Sequence, residues 1–245
     1  ELAQKSVDAI LDFGEKGFPG ILVETIAIFI NNLAAPANTK VFSLTHRLHL
    51  TQPQAYIFDP ELPYWIIYRN QLFDSVCRKL DFDVFEVFRD RQLTNKLLSS
   101  SGELRVLKSR NLSDDGKAIL DIPGYDSYIS YAAAKPLSVF QYLDAPNVYL
   151  TPNMTYKPRM MKKPPHCVVN GSLAILIPKG GIVPTEKQLA YFSSEEYRAF
   201  YQIARNFQTR SLNVDACSVF FYGLLRDEAK PAPEKFDTSV QLSFF

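Results

Sequence analysis

An α+β fold is predicted by three features of the sequence. Runs rich in Val, Ile and Phe near the N-terminus read as strands, and helical period surfaces in separate places further along. Between them a long stretch breaks into short apolar segments bounded by Asn, Asp, Gly and Pro.

Val7 to Phe13 and Ile21 to Ile30 are read as two strands. The connection Gly14-Glu-Lys-Gly17-Phe-Pro-Gly20 is glycine-rich, but a phosphate cradle needs a helix N-terminus directly after it. Here a strand follows and the spacing is not GxGxxG, so a plain strand connection is the reading. Thr39 to Tyr68 mixes Thr, Pro, aromatic and β-branched residues and reads as irregular strands and turns at a domain junction. Asn70 to Leu80 sets Leu72, Phe73, Val76, Cys77 and Leu80 on one helical face, and a second short helix is predicted from Asp83 toward Leu98, ended by Ser99-Ser-Ser-Gly102.

From Glu103 to Pro178 the best strand candidates are Arg105 to Leu107, Tyr128 to Tyr131, Val148 to Leu150, Cys167 to Val169 and Leu173 to Ile177. Helical period returns after Pro184: Ser193 can cap, Glu196 stands three residues on, and Tyr197, Phe200, Tyr201, Ala204 and Phe207 form an apolar face. Lys230-Pro-Ala-Pro233 marks a terminal tail, and no internal repeat is present.

The 245 residues suffice for one main domain with a short additional piece at its N-terminus. Hydrophobic residues at 47% and charged residues at 22% are near the globular average, while 18 Phe and 13 Tyr make the chain aromatic, so disorder is not the expectation. Cys77, Cys167 and Cys217 form no CxxC pair and have no histidine at zinc-ligand spacing, which argues against a disulfide framework or a zinc site. The longest apolar stretch, Ile21 to Ile30, is too short to span a bilayer and no signal peptide is read, so a soluble, cytoplasmic protein without a membrane partner is expected.

A net charge of +1 gives no global argument for nucleic acid. Its distribution does: Leu150 to Gly180 carries Lys157, Arg159, Lys162, Lys163 and Lys179 with no acidic residue. Three polar clusters can carry function. In Arg105-Val-Leu-Lys-Ser-Arg-Asn-Leu112 a strand hands Lys108, Arg110 and Asn111 to a polar turn, and such side chains suit guanine edges, phosphates and adenine. Thr151-Pro-Asn-Met-Thr-Tyr-Lys-Pro-Arg-Met160, with Lys162 and Lys163, is a proline-stiffened basic loop, and Arg205-Asn-Phe-Gln-Thr-Arg-Ser-Leu-Asn213 leaves the amphipathic helix with two arginines. Any one of these taken alone is more often a solvated loop; the three together point to nucleic acid.

The catalytic search is negative. His46 and His49 read as exposed strand histidines, since no third metal ligand is evident. His166 and Cys167 are neighbours whose side chains a strand would send to opposite faces, so they make no nucleophilic dyad. No serine elbow or nuclease acid cluster is found, and Asp114-Asp115 reads as a turn.

At this point the order of segments resembles the C-terminal half of TaqI-like, gamma-class adenine-N6 DNA methyltransferases of type II restriction-modification systems. The stretch from Ala9 to Ile30 looks like the last strand hairpin of their catalytic domain. Pro63-Tyr-Trp-Ile-Ile-Tyr-Arg-Asn70 and Val87-Phe-Arg-Asp-Arg-Gln92 resemble the connector into their target recognition domain. Arg105 to Leu112 looks like a Val-Leu-x-Gly-Arg-Asn/Asp-Ile/Leu segment of those domains, with Ser109 where Gly is common. Tyr149 through Arg159, Asn170-Gly-Ser172 and Phe192 to Leu225 follow the same order. The family's Asn/Asp/Ser-Pro-Pro-Tyr/Phe signature and its Phe-x-Gly-x-Gly cofactor loop are absent; the only Pro-Pro pair is Pro164-Pro165.

The resemblance implies terminal strands of a methyltransferase sheet at residues 1–32, a helical connector at 33–100, a target recognition domain with short strands and a C-terminal amphipathic helix at 101–228, and a tail at 229–245. It implies a part of a site-specific adenine DNA methyltransferase that is inactive alone. Catalysis and S-adenosylmethionine binding are expected upstream of Glu1, and no cofactor is expected in this chain. Double-stranded DNA and the catalytic domain are the expected partners. Arg110 and Asn111 are the first choice for base contacts, with Lys108 beside them. Lys157, Arg159, Lys162 and Lys163 are assigned to phosphates, and Arg205 and Arg210 to either. The alternative is a protein-interaction scaffold that binds a restriction endonuclease subunit.

Overall fold

The computed structural model describes residues 4–208 and 213–227. The fold is α+β, with short helices and mixed sheets. Two compact units divide the described residues: 4–78 with 202–208, and 79–201 with 213–227.

In the first unit β1 (Ser6–Gly14) pairs antiparallel with β2 (Thr25–Asn31) and parallel with β3 (Asn38–Ser43), which pairs antiparallel with β4 (Leu48–Pro53); the order is β2-β1-β3-β4. The glycine-rich connection therefore joins two paired strands. The N-terminal hairpin is not a separate piece ending at residue 32, because β1 is an interior strand. Val7 and Ile10 are both fully buried although three residues apart, which a strict period of two forbids. A register shift between Val7 and Ala9 resets the alternation. Buried polar groups fix the same strand: Val7 N–H donates to Gln54 Oε1 at 2.7 Å, Gln54 Nε2 donates to Lys5 O at 2.8 Å, and Thr39 Oγ1 donates to Val7 O at 2.7 Å.

The stretch read as irregular thus holds two regular strands and the single turn α1 (Gln54–Ile57). Helix α2 (Gln71–Lys79) forms where predicted: Asn70 caps it through Phe73 N–H at 3.0 Å, and Phe73 and Val76 are buried. Arg69 ties α1 to α2, ion-pairing with Asp59 at 2.7 Å and Asp74 at 2.8 Å while lying 4.4 Å above the Tyr56 ring. Burial pushes the Cys77 thiol up to about 12, so it is inert. All three cysteines are free.

The second unit opens with β5 (Leu80–Asp81), which pairs with β13 (Leu224–Leu225). The helix predicted from Asp83 is not formed: β6 (Phe85–Phe88) lies antiparallel to β12 (Leu173–Pro178). Phe85 is buried and Glu86 exposed, a period-two pattern that the surrounding Asp and Arg residues mask in sequence. β9 (Tyr149–Pro152) pairs with β12 and with β10 (Met161–Lys162), giving the sheet β10-β9-β12-β6. In a second sheet β7 (Leu104–Leu107) runs parallel to β11 (Cys167–Val169) and antiparallel to β8 (Ser127–Ile129).

Val106, Ile129 and Val168 of one sheet and Leu150, Leu173 and Ile175 of the other meet in one core. Helix α3 (Tyr131–Ala134) is one turn. Helix α4 (Glu186–Tyr191) is closed by a capping box between Thr185 and Gln188, and α5 (Glu195–Ala204) buries Tyr197, Phe200 and Tyr201. Ser194 caps α5, its Oγ accepting from Tyr197 N–H at 3.1 Å, whereas the predicted cap Ser193 donates its hydroxyl to Asp115 O at 2.9 Å. The boundary between units falls at Arg78/Lys79, inside the predicted connector; the tail at 229–245 lies outside the described residues. No helix among the described residues is long and apolar enough to cross a membrane.

Because β1 is interior, deletion of residues 1–32 is expected to unfold the first unit, and Ile10→Ala to cost about 2–5 kcal/mol in urea unfolding. A truncated chain that keeps the cooperative transition of the full one would restore a boundary at residue 32.

Candidate nucleic-acid interface

The first predicted cluster follows β7. Lys108 starts a 3-10 turn over Ser109–Asn111, and Asn111, fully buried, organises what comes after. Its Oδ1 accepts from Lys108 N–H at 3.0 Å, while its Nδ2 donates to Leu120 O at 3.0 Å and Asp126 Oδ1 at 2.6 Å. Asp126 Oδ2 accepts from Ile122 N–H at 3.0 Å and Arg105 Nη2 at 2.9 Å. Burial works against the Asp126 carboxylate, but these donors together hold its pKa below the usual range. Asn111 is therefore a structural residue with its amide fully engaged, and the expectation of a base contact there is corrected.

The loop doubles back through a bridge between Leu112 and Ile119, with Asp114 and Asp115 in the turn as predicted. Gly116 has φ +71°, and a Cβ there would stand 3.1 Å from Met160 O. The left-handed backbone favours glycine, and a Cβ would crowd that carbonyl.

Lys108 and Arg110 converge on one ring. Lys108 Nζ lies 3.9 Å from the centroid of Tyr125 and donates to Tyr125 O and to Ser127 Oγ; burial lowers its pKa despite nearby Asp126. Arg110 Cζ lies 4.7 Å over the same ring, and its side chain is exposed and engaged by no hydrogen bond or ion pair among the described residues.

The second cluster splits. Lys157 is exposed and pairs with Asp114 at 3.1 Å; Lys162 is exposed on β10. Arg159 is 8% exposed and Lys163 4%, and burial lowers the pKa of both. Arg159 Nη1 donates to Lys157 O at 3.0 Å and Nη2 to Ser109 O and Leu112 O at 3.3 Å each. Lys163 Nζ donates to Leu143 O at 2.7 Å and Pro164 O at 2.9 Å. The assignment of Arg159 and Lys163 to phosphates is corrected: both are buried and spend their donors on backbone carbonyls. In doing so Arg159 joins the loop around Lys157 to the turn that carries Arg110.

The third cluster is divided between the two units. Arg205 is buried and belongs to the first unit, Arg210 lies outside the described residues, and Asn213 in the second unit accepts from Asn153 Nδ2 at 3.0 Å. Sequence reasoning missed Tyr125 and Asp126, whose signal was a Gly-Tyr-Asp turn following Pro123. The missing acidic residues near Lys157 and Lys179 come from elsewhere in the chain, as Asp114 and Asp83.

His49 is not exposed in the sense predicted: its ring stacks on Phe42 at 4.4 Å, and His46 sits in a turn 5.7 Å from Tyr68. Among the described residues no three His, Cys, Asp or Glu side chains gather as metal ligands. His166 is exposed with φ +53°, its N–H donating to Asp144, and burial raises the pKa of the Cys167 thiol. No family model matches the chain, and no curated protein is significantly similar to it.

Asn111→Ala leaves Lys108 N–H, Leu120 O and Asp126 each short of a buried partner, so a stability loss of about 2–3 kcal/mol is expected in urea. Loss below about 0.5 kcal/mol, the usual range for an inconsequential surface change, would show that the loop does not depend on it. Lys163 adds a pH signature. Its folded pKa lies below the ordinary 10.5, so the unfolded chain binds more protons between the two values. Stability relative to Lys163→Met should therefore rise with pH across that alkaline window; a difference that stays flat would mean the ammonium is held as well in the fold as in water.

Proposed function

We propose that this chain recognises a DNA sequence on behalf of an adenine-N6 DNA methyltransferase of a restriction-modification system. The observation that carries the reading is the joining of two basic loops, distant in sequence, by the buried Arg159 guanidinium, so that Arg110 and Lys157 are both presented to solvent from one braced region. The resemblance of the Arg105 to Leu112 and Tyr149 to Arg159 segments to target recognition domains adds the class of enzyme. Arg110 offers a donor fork for bases or phosphates, and Lys157 and Lys162 offer point charges for phosphates. S-adenosylmethionine and an adenine flipped from the duplex would be handled by the catalytic part of such an enzyme.

A second reading, a protein-interaction surface, is favoured by the first unit. Phe18, Ile21, Leu22, Val23, Ile26 and Phe29 are each about half exposed along and before the edge strand β2. Apolar association barely responds to salt, whereas phosphate contacts release counterions.

Replacing Lys157 and Lys162 together by Ala is expected to weaken binding to every duplex and to reduce the salt slope by up to about two units, near 0.9 per lost phosphate contact. Binding that keeps its slope would remove both lysines from the interface. DNA binding that is absent at every salt concentration would leave the protein-interaction reading.

A further inference from the structure

We propose that Arg110, held over Tyr125, reads a guanine in the major groove, so that the site recognised by this chain contains a G·C pair at that position and Tyr125 acts as its positioning residue. The inference rests on the DNA-recognition reading and goes beyond it in naming the base and the residue that aims the arginine.

Three observations lead there. Arg110 Cζ stands 4.7 Å from the Tyr125 centroid, the range of a cation held on an aromatic face. The side chain is exposed, and no hydrogen bond or ion pair occupies its guanidinium among the described residues, so all five donors are unspent. The platform itself is fixed: Lys108 Nζ binds the Tyr125 ring at 3.9 Å and donates to its carbonyl, while Asn111 and Asp126 clamp the chain on either side.

A guanidinium restrained in this way suits an acceptor pair of fixed geometry. Guanine presents O6 and N7 side by side, matching two parallel N–H donors, whereas adenine places a donor amino group beside N7 and repels one of them. A phosphate can accept the same fork, but Lys157 and Lys162 already supply cations for that purpose, and only a base edge ties the arginine's position to sequence. The ring also takes up side-chain freedom before DNA arrives, leaving less to lose on binding.

The test is selection of duplexes from a randomised pool by the full chain at fixed salt, followed by anisotropy titrations on the selected site. Enrichment of guanine at one position is expected. Arg110→Ala should abolish that preference and lower affinity for the selected site about tenfold to a hundredfold, with a smaller loss on random duplex. Substituting 7-deazaguanine at that position should weaken the wild type and leave Arg110→Ala unaffected. Tyr125→Phe, which keeps the ring, should preserve the preference, and Tyr125→Leu should erode it at the same position only. Equal losses for Arg110→Ala on selected and random duplex would make it a phosphate contact and overturn the inference while leaving DNA recognition intact. Preference that survives Tyr125→Leu would overturn the positioning role. No binding to any duplex would overturn the inference together with the proposed function.

Discussion

The second unit's polar loop depends on one buried interaction, the carboxamide of Asn111 against the carboxylate of Asp126. Between β7 and β8 the chain must leave a packed core, turn through a glycine with a left-handed backbone, and return in register. In that loop Leu112 and Ile119 reach the core, and each backbone group it buries needs a partner. Asn111 and Asp126 supply those partners for Lys108 N–H, Leu120 O and Ile122 N–H, and Arg105 balances the charge from β7. A fully satisfied polar node of this kind specifies a single arrangement, whereas the same node missing one member would leave buried groups unpaired. Everything exposed on the loop, Arg110 included, takes its position from that node.

Arg159 and Lys163 show how the chain uses cations without acids. Among the described residues neither forms an ion pair; both donate to carbonyl oxygens, and Arg159 reaches Ser109 O and Leu112 O, at the start of a 3-10 turn and just past its end. A backbone carbonyl carries partial negative charge and two lone pairs, so a guanidinium beside it is attracted without a carboxylate. Desolvation still opposes both charges, which is why their pKa values fall. The reward is geometric: two loops that are some fifty residues apart in sequence are held as one surface.

Strands with strong β-branched content and clean boundaries were legible in the sequence, as β7, β11 and β12 show, and so was α2 with its apolar stripe and asparagine cap. Segments whose local pattern competes with a tertiary partner were not. Phe85 to Phe88 becomes a strand only because β12 offers an edge, and β1 is interior only because β3 arrives from beyond the hairpin. The basic residues teach the same lesson at the level of the site. Composition counted Lys157, Arg159, Lys162 and Lys163 alike, but the inward turn of the chain after β10 and the approach of the 109–116 loop bury two of them. Residue type gave the chemistry available; burial, which no local pattern encodes, decided which of it faces solvent.

That division shapes how a DNA interface on this chain would have to work. With 27 basic and 26 acidic residues the protein has little net field to draw a polyanion. Its exposed lysines are partly matched within the fold, Lys157 by Asp114 at 3.1 Å and Lys179 by Asp83 at 2.6 Å. Such exposed pairs are worth only about 0–1 kcal/mol, so a phosphate can displace Asp114 from Lys157 at small cost, but each displacement also returns an uncompensated carboxylate to the surface near the DNA. On the DNA-recognition reading, non-specific affinity from these loops would be weak, and contacts that depend on the base would carry a larger share of the total than on a strongly basic protein. Under the DNA-recognition reading, a weak field joined to a braced, unpaired arginine is an arrangement that favours discrimination over capture, with capture left to whatever else binds the same duplex.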